Sequence, residues 1–311
     1  MNTNAIKKFA QEARTKLISQ VGAKLEYVLT SDSAELREKT EQLKKLQEAI
    51  NKSTREQVID KVAYTWFNRL MALRFMDAND YQPIGIRVIT PKEGYTLPEL
   101  LDEAKQGSIP DELPLKHQRV YDLLDGNIPS ANAQNEAYKE LLIGACNHLN
   151  QVFPFLFEKI NDYAELLLPD DLTSEFSIVQ DIRNGMTDED CGEVEIIGWI
   201  YQFYISERKD EVFASKSKVA KEDIPAATQL FTPRWIVEYM VQNTVGKLWI
   251  QNNPTSKLRE HMPYFIESPS VDSDDYLKIN SVEEITLLDQ ACGSGHILVY
   301  GFELLTKIYE E

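Results

Sequence analysis

Asp289, Gly293 and Gly295 have the types and spacing of a ligand-binding turn. They lie in "EEITLLDQACGSGHILVYGFELL" (Glu283–Leu305). Ile285, Leu287 and Leu288 suit the interior of a sheet, so the segment reads as a short apolar strand, a glycine-rich turn and a helix from about His296. Two glycines let the backbone turn sharply and let a ligand approach without meeting a Cβ. A helix beginning here points its first N–H groups back at the turn, which favours a negative or polar ligand group. In doubly wound α/β folds this is the carboxyl end of a strand, where ligands bind. No Gly-Lys-Ser/Thr follows, so the turn is not a phosphate-binding P-loop. The six fixed positions of D-x-A-C-G-S-G match by chance roughly once in 10⁸ starts at average residue usage. No base-like residue adjoins Cys292 in sequence, and it reads as a small residue lining the turn rather than a nucleophile. His296, at the helix start, either tunes the pocket or makes an ordinary hydrogen bond.

A second stretch, "ATQLFTPRWIVEYMV" (Ala227–Val241), reads as a capped amphipathic helix. Thr232 is the expected N-cap and Pro233 fits the first turn, with Ile236, Val237, Met240 and Val241 on the inner side. Arg69 and Arg74 sit among aromatics in "YTWFNRLMALRF". They are either phosphate contacts or arginines of a core helix paired with acids, and the apolar surroundings favour the core. His117, His148 and His261 have no companions at metal-ligand spacing.

The elements around these residues are mostly helical. Ile6, Phe9, Ala13, Leu17, Val21, Leu25 and Val28 form one stripe at spacings of three and four. A second helix follows, with Asp32 and Ser33 as candidate caps. A third is expected from a capping box at Ser53, with Glu56 in the reciprocal position, and runs to about Met76. Pro and Gly recur between about 80 and 132, which predicts loop-rich connecting structure. Helix returns over 135–153 and again over 193–213. The division expected is a helical domain over 1–215, a polar linker over 216–228, and the start of a second domain over 229–311.

Of 311 residues, 43% are hydrophobic and 27% charged, so the chain is globular and able to bury a sizeable core. The net charge is −17. Residues 1–80 carry 14 Lys/Arg against 11 Asp/Glu, and residues 81–311 carry 19 against 39. Most of that surface repels a phosphate backbone, so contact with nucleic acid would need local basic patches or other parts of a larger protein. Three widely spaced cysteines form neither a disulfide framework nor a zinc pattern. The N-terminus lacks the apolar core of a secretory signal, and the most apolar run, near 196–205, is far too short to cross a bilayer. A cytoplasmic, non-membrane protein is expected.

The motif Asp289-Gln290-Ala291-Cys292-Gly293-Ser294-Gly295-His296-Ile297 resembles the D-P-A-C-G-S-G-x-F motif of S-adenosylmethionine-dependent amino-methyltransferases that modify adenine in DNA. Gln290 stands where that family has proline, and Ile297 where it has an aromatic residue. The stretch ending Phe231-Thr232-Pro233 is similar to the Q-x-F-T-P motif that precedes the first strand in such enzymes. The resemblance extends through 61–79, 195–214 and 223–241 to the PglX-type methyltransferases of BREX phage-defence systems. It implies a mainly α N-terminal domain followed by the start of an α/β Rossmann-like methyltransferase domain. It implies S-adenosyl-L-methionine as cofactor, held at its methionine end by Asp289, by the backbone of Ala291, Cys292, Gly293, Ser294 and Gly295, and by the Thr232–Pro233 corner, with His296 beside it. It also implies double-stranded DNA as the substrate of the parent protein, with other phage-defence subunits as potential partners.

The same resemblance calls for an Asn/Asp-Pro-Pro-Tyr/Phe tetrapeptide that binds a flipped-out base. The nearest stretch, "NNPT" (Asn252–Thr255), has one proline, no aromatic residue and the wrong place in the order. Catalytic residues are therefore expected outside this chain, the chain is expected to be an N-terminal fragment, and the fragment alone is expected to be inactive. Glu310 and Glu311, at about the distance of a ribose-binding acid, read as solvated helix-end charges. Two other readings share the glycine turn: a non-catalytic scaffold of a defence complex, and a methyltransferase acting on RNA or protein.

Overall fold

Apolar residues at helical spacing dominate the chain, and helices dominate the structure. The computed structural model describes residues 2–154, 157, 163–215, 218–220, 223–228, 230–267 and 276–311. No β-strand occurs among the described residues. The chain divides into two compact units, Met1–Glu193 and Val194–Glu311. The helices over 195–214 group with the later residues, whereas the division expected from the sequence places them in the helical domain over 1–215.

The first unit begins with α1 (Thr3–Thr30), α2 (Ala34–Glu38), α3 (Thr40–Lys52) and α4 (Arg55–Ala78). The α1 stripe from Ile6 to Val28 is buried as its spacing requires. Ser33 caps α2, accepting from Leu36 N at 3.3 Å. The capping box of α4 is one residue later than expected: Thr54 accepts from Gln57 N and Gln57 Oε1 accepts from Thr54 N, both at 3.2 Å. Ser53 cannot fill that role because it ends α3, its hydroxyl donating to Ala49 O.

The rest of this unit comprises α5 (Glu99–Lys105), α6 (His117–Leu124), α7 (Ala133–Leu149), α8 (Tyr163–Leu166), α9 (Ile178–Gly185) and α10 (Asp188–Cys191). The loop before α5 is held by Asp77, a fully buried carboxylate that accepts from the amides of Val88, Ile89 and Thr90 at 2.8–2.9 Å and from Gln82 Nε2 at 2.7 Å. Arg69 and Arg74 are core residues of α4, each 4% exposed. Arg74 binds Met186 O, Thr90 Oγ1 and Asp188 Oδ1, and neither arginine is placed to reach a phosphate backbone.

The second unit holds α11 (Glu195–Tyr204), α12 (Ser206–Ala214), α13 (Ile224–Thr228), α14 (Arg234–Val241), α15 (Lys247–Asn252) and α16 (His296–Tyr309). A π-helical turn, Gln242–Gly246, joins α14 to α15. The expected linker is helical at α13, while Lys216, Ser217, Lys221 and Glu222 lie outside the described residues. The core of this unit gathers Val237, Val241, Val245, Ile250, Leu258, Met262, Val282, Leu304 and Ile308. Met240, expected on the inner face, is 43% exposed; the buried line runs Val237, Val241, Val245 instead.

Candidate functional site

The glycine turn is built by local chemistry. Asp289 Oδ1 accepts from Ala291 N at 2.9 Å, which folds the chain back two residues on. Gly295 N donates to Cys292 O at 2.7 Å. Gly293 (φ 54°) and Gly295 (φ 80°) occupy the left-handed region, where a side chain would be strained. Gly295 is also the N-cap of α16, and its carbonyl accepts from Val299 N at 2.9 Å. The N–H groups of His296, Ile297 and Leu298 therefore start the helix without intrahelical acceptors, facing the turn. Ala291, Cys292, Gly293 and Ser294 are exposed, so this amide-lined surface is open to a ligand.

The expected strand before it is not formed. Ile285, Leu287 and Asp289 are half-buried while Thr286, Leu288 and Gln290 are exposed, the alternation of extended chain. Extended backbone becomes a strand only by pairing, and the neighbouring described segments are helices and turns. Leu288, expected in a sheet interior, is 79% exposed. What holds the segment is α16: Leu287 lies over Gly301, where a Cβ would meet its Cδ2 at 2.3 Å.

The Thr232–Pro233 corner is brought to the turn. His296 Nδ1 is 3.0 Å from Thr232 O. The N-cap of α14 is Pro233, not Thr232, and no side chain caps this helix. Pro233 O instead accepts from Ile236 N and Val237 N, and the Thr232 carbonyl is committed to the histidine. Gln229, first residue of the Q-x-F-T-P pattern, lies outside the described residues.

Phe231, the aromatic residue of the Q-x-F-T-P pattern, joins this corner to residues of α11 that belong to neither motif. The Phe231 ring stacks on His296, centroids 4.9 Å apart and 7° between planes, and meets Trp199 edge-on. Gly198 of α11 leaves the space that the Phe231 ring fills. Phe231 N donates to Gln202 Oε1 at 2.5 Å, and His296 Nε2 lies 3.7 Å from Glu195 Oε1. For the α11 part of this shell the sequence signal is a glycine inside the aromatic helix "EIIGWIYQFY". One turn further along α16, the buried Gln242 donates to Tyr300 Oη and accepts from Tyr264 N, both at 2.7 Å. Asn252 of the "NNPT" stretch has a structural task, donating to Leu248 O and Leu277 O and accepting from Ile279 N.

Other sequence candidates stay outside the site. Cys146 and Cys191 are buried in the first unit, and Cys292 is exposed in the turn. No group of three or more potential metal-ligating side chains occurs among the described residues. No described helix is long and apolar enough to cross a membrane. Glu310 follows the last residue of α16, and Glu311 accepts from Ser256 Oγ at 2.7 Å, which accords with helix-end charges.

The whole chain aligns with curated proteins. It is 42% identical, over an alignment 345 positions long, to the adenine-specific methyltransferase BrxX of Escherichia coli O9:H4 (strain HS), covering 100% of the chain and 28% of that protein. The chain matches the N-terminal region of PglX-type methyltransferases. Identity to the adenine-specific methyltransferase PglX of Lacticaseibacillus casei (strain Zhang) is 34% over an alignment 361 positions long, again 100% of the chain and 29% of the relative. The chain thus spans under a third of the length of these relatives. No protein-family model matches it.

Proposed function

We propose that this chain is the N-terminal part of an S-adenosyl-L-methionine-dependent adenine-N6 DNA methyltransferase of a BREX-type phage-defence system, and that its second unit supplies the methionine end of the cofactor pocket. The observation that carries the reading is the hydrogen bond from His296 to Thr232 O, which joins two motif segments far apart in sequence at one open, amide-lined turn. The match of this whole chain to under a third of each of two adenine-specific methyltransferases supports the reaction class.

The residues present fit such a group. The α-carboxylate of a methionine moiety suits the first-turn N–H groups of α16 and the amides of Gly293 and Ser294. Its α-ammonium suits the carboxylate of Asp289, whose other oxygen is fixed by Ala291 N. Pro233 and Thr232 would cover the chain between them. When bound, the cofactor supplies an electrophilic methyl group on sulfur; this chain's residues bind and orient it. Base flipping and the positioning of the adenine amine that accepts the methyl group are assigned to the remainder of the parent protein, with double-stranded DNA as its substrate. The Ile285–Asp289 segment is read as the first strand of a Rossmann-like sheet, Leu288 facing a layer that other segments supply.

Cys292 offers a direct test. It is exposed within the turn, so a maleimide should label it readily. S-adenosyl-L-homocysteine at saturating concentration should slow that labelling severalfold, and adenosine alone should not. Labelling unchanged by ligand, with no binding heat by calorimetry, would reject the cofactor site and favour a non-catalytic scaffold.

A further inference from the structure

Among the groups around the turn, His296 is held on three sides, and its bond to Thr232 O bears on the shape of the turn. Its side chain is 10% exposed, and that of Glu195 is 14%. A carbonyl only accepts, so the 3.0 Å contact with Thr232 O requires the proton on Nδ1. Phe231 lies flat on the ring, and Glu195 stands at the other nitrogen. Phe231 is itself fixed by Gln202 at its amide and by the gap at Gly198. The 231–233 corner is thereby gripped between α11 and the first residue of α16.

A purely packing role would not call for this side chain. Phenylalanine would stack as well on Phe231 without burying a polar group. What histidine adds is one directed hydrogen bond, placed at the residue immediately after the left-handed Gly295. The rotation of that first helical turn decides where its free N–H groups point.

We propose that His296 is a positioning residue: its Nδ1–H···O=C bond to Thr232 sets the distance between the Thr232–Pro233 corner and the glycine turn, and Glu195, Phe231 and Gly198 hold the ring in that register. The inference rests on the cofactor reading and deepens it, because it makes affinity for the methionine end depend on α11. Thr232 contributes through its backbone carbonyl, so its own side chain is not the determinant.

Three variants of the 311-residue chain separate the donor from the ring. His296→Phe keeps the stacking and loses the donor. His296→Asn returns a donor near the Nδ1 position, and His296→Gln returns one nearer Nε2. The readouts are calorimetric affinity for S-adenosyl-L-homocysteine and, without ligand, amide exchange of Ile236 and Val237, whose N–H groups are bonded to Pro233 O. Phe and Gln should bind about 3- to 10-fold more weakly, the worth of one neutral hydrogen bond, and Asn should recover most of the loss. Exchange at Ile236 and Val237 should quicken in Phe and Gln and return toward wild type in Asn, with exchange in α1 unaltered. Wild-type affinity and exchange in His296→Phe, or an Asn variant no better than Phe, would overturn the proposal. A wild-type chain that binds no ligand would instead fail the cofactor reading beneath it, a result the wild-type arm reports by itself.

Discussion

The ring of Phe231 occupies the space that a side chain at Gly198 would need. A Cβ on Gly198 would fall 2.1 Å from Cε2 and 2.3 Å from Cδ2. The ring cannot step aside, because His296 lies against its face and Trp199 meets it at an angle of 62°. Gly198→Ala should therefore destabilise the second unit by about 1–3 kcal/mol through overpacking, although alanine is the better helix former by ~1 kcal/mol. Gly301 makes the contrast. Its Cβ would clash with the Cδ2 of Leu287 at 2.3 Å, the end of a rotatable side chain, and meet Cγ at an ordinary 3.8 Å. Gly301→Ala should change stability by less than about 1 kcal/mol, the helix gain offsetting the shift of Leu287. Urea unfolding followed by the fluorescence of Trp199, Trp235 and Trp249 reads both. Equal effects of the two substitutions would remove the claim that Phe231 is locked.

Much of this was legible in sequence where one element carries the whole signal. The α1 stripe is seven positions at helical spacing, and the D-x-A-C-G-S-G turn needs only its own glycines and Asp289. Errors arose where neighbours compete. Ser53 and Thr54 are both good caps, and which one starts α4 depends on Ser53 being used by α3. Ile285–Asp289 has strand composition, but a ladder needs a partner segment. The shell of Glu195, Gly198 and Phe231 around His296 was hidden because it is long-range. A glycine among aromatics says that something packs close, but not which residue does.

Burial divides the three thiols. Burial pushes the Cys146 thiol up to about 12 and that of Cys191 up to about 11. At pH 8 roughly one Cys146 in 10⁴ is a thiolate, and the thiolate is the reactive form. Native protein should show one fast-reacting thiol, removed by Cys292→Ser, with the other two appearing only on unfolding. The same shifts set a pH dependence. Both groups hold their protons more tightly folded than unfolded, so their contribution to stability is full below the unfolded value near 9 and is lost as pH rises toward 11–12. The fall in stability above pH 9 should be shallower in a Cys146→Ala/Cys191→Ala chain than in wild type. An equal slope in both would contradict the burial of these thiols.

Asp77 should be intolerant of its closest isostere. Its two oxygens accept from three backbone amides and from Gln82 Nε2, inside a core that excludes water. Asparagine would turn one acceptor into a donor facing other donors. Leaving those groups unpaired costs about 1–3 kcal/mol each, so Asp77→Asn should lose at least ~2 kcal/mol of first-unit stability. Hydrogen exchange at Val88, Ile89 and Thr90 would localise the loss. Protection of all three at wild-type levels in the variant would show that the loop is held by something else.

Gln242 is the counterpart in the second unit. It is fully buried at the start of the π-helical turn, its amide nitrogen bonded to Tyr300 Oη and its oxygen to Tyr264 N. The pair links the turn after α14 to the middle of α16, four residues and about one helical turn past His296, and so holds the same face of α16 that meets the Thr232 corner. Gln242→Leu would leave the Tyr264 amide without its partner and should cost about 2–4 kcal/mol. Tyr300→Phe keeps that amide bond and should cost about 1 kcal/mol. Combined, the two should cost less than their sum, because the second removes a hydroxyl already orphaned by the first. A double-mutant cycle by urea unfolding measures that coupling. Strict additivity would mean that the Gln242–Tyr300 bond contributes nothing to the placement of α16.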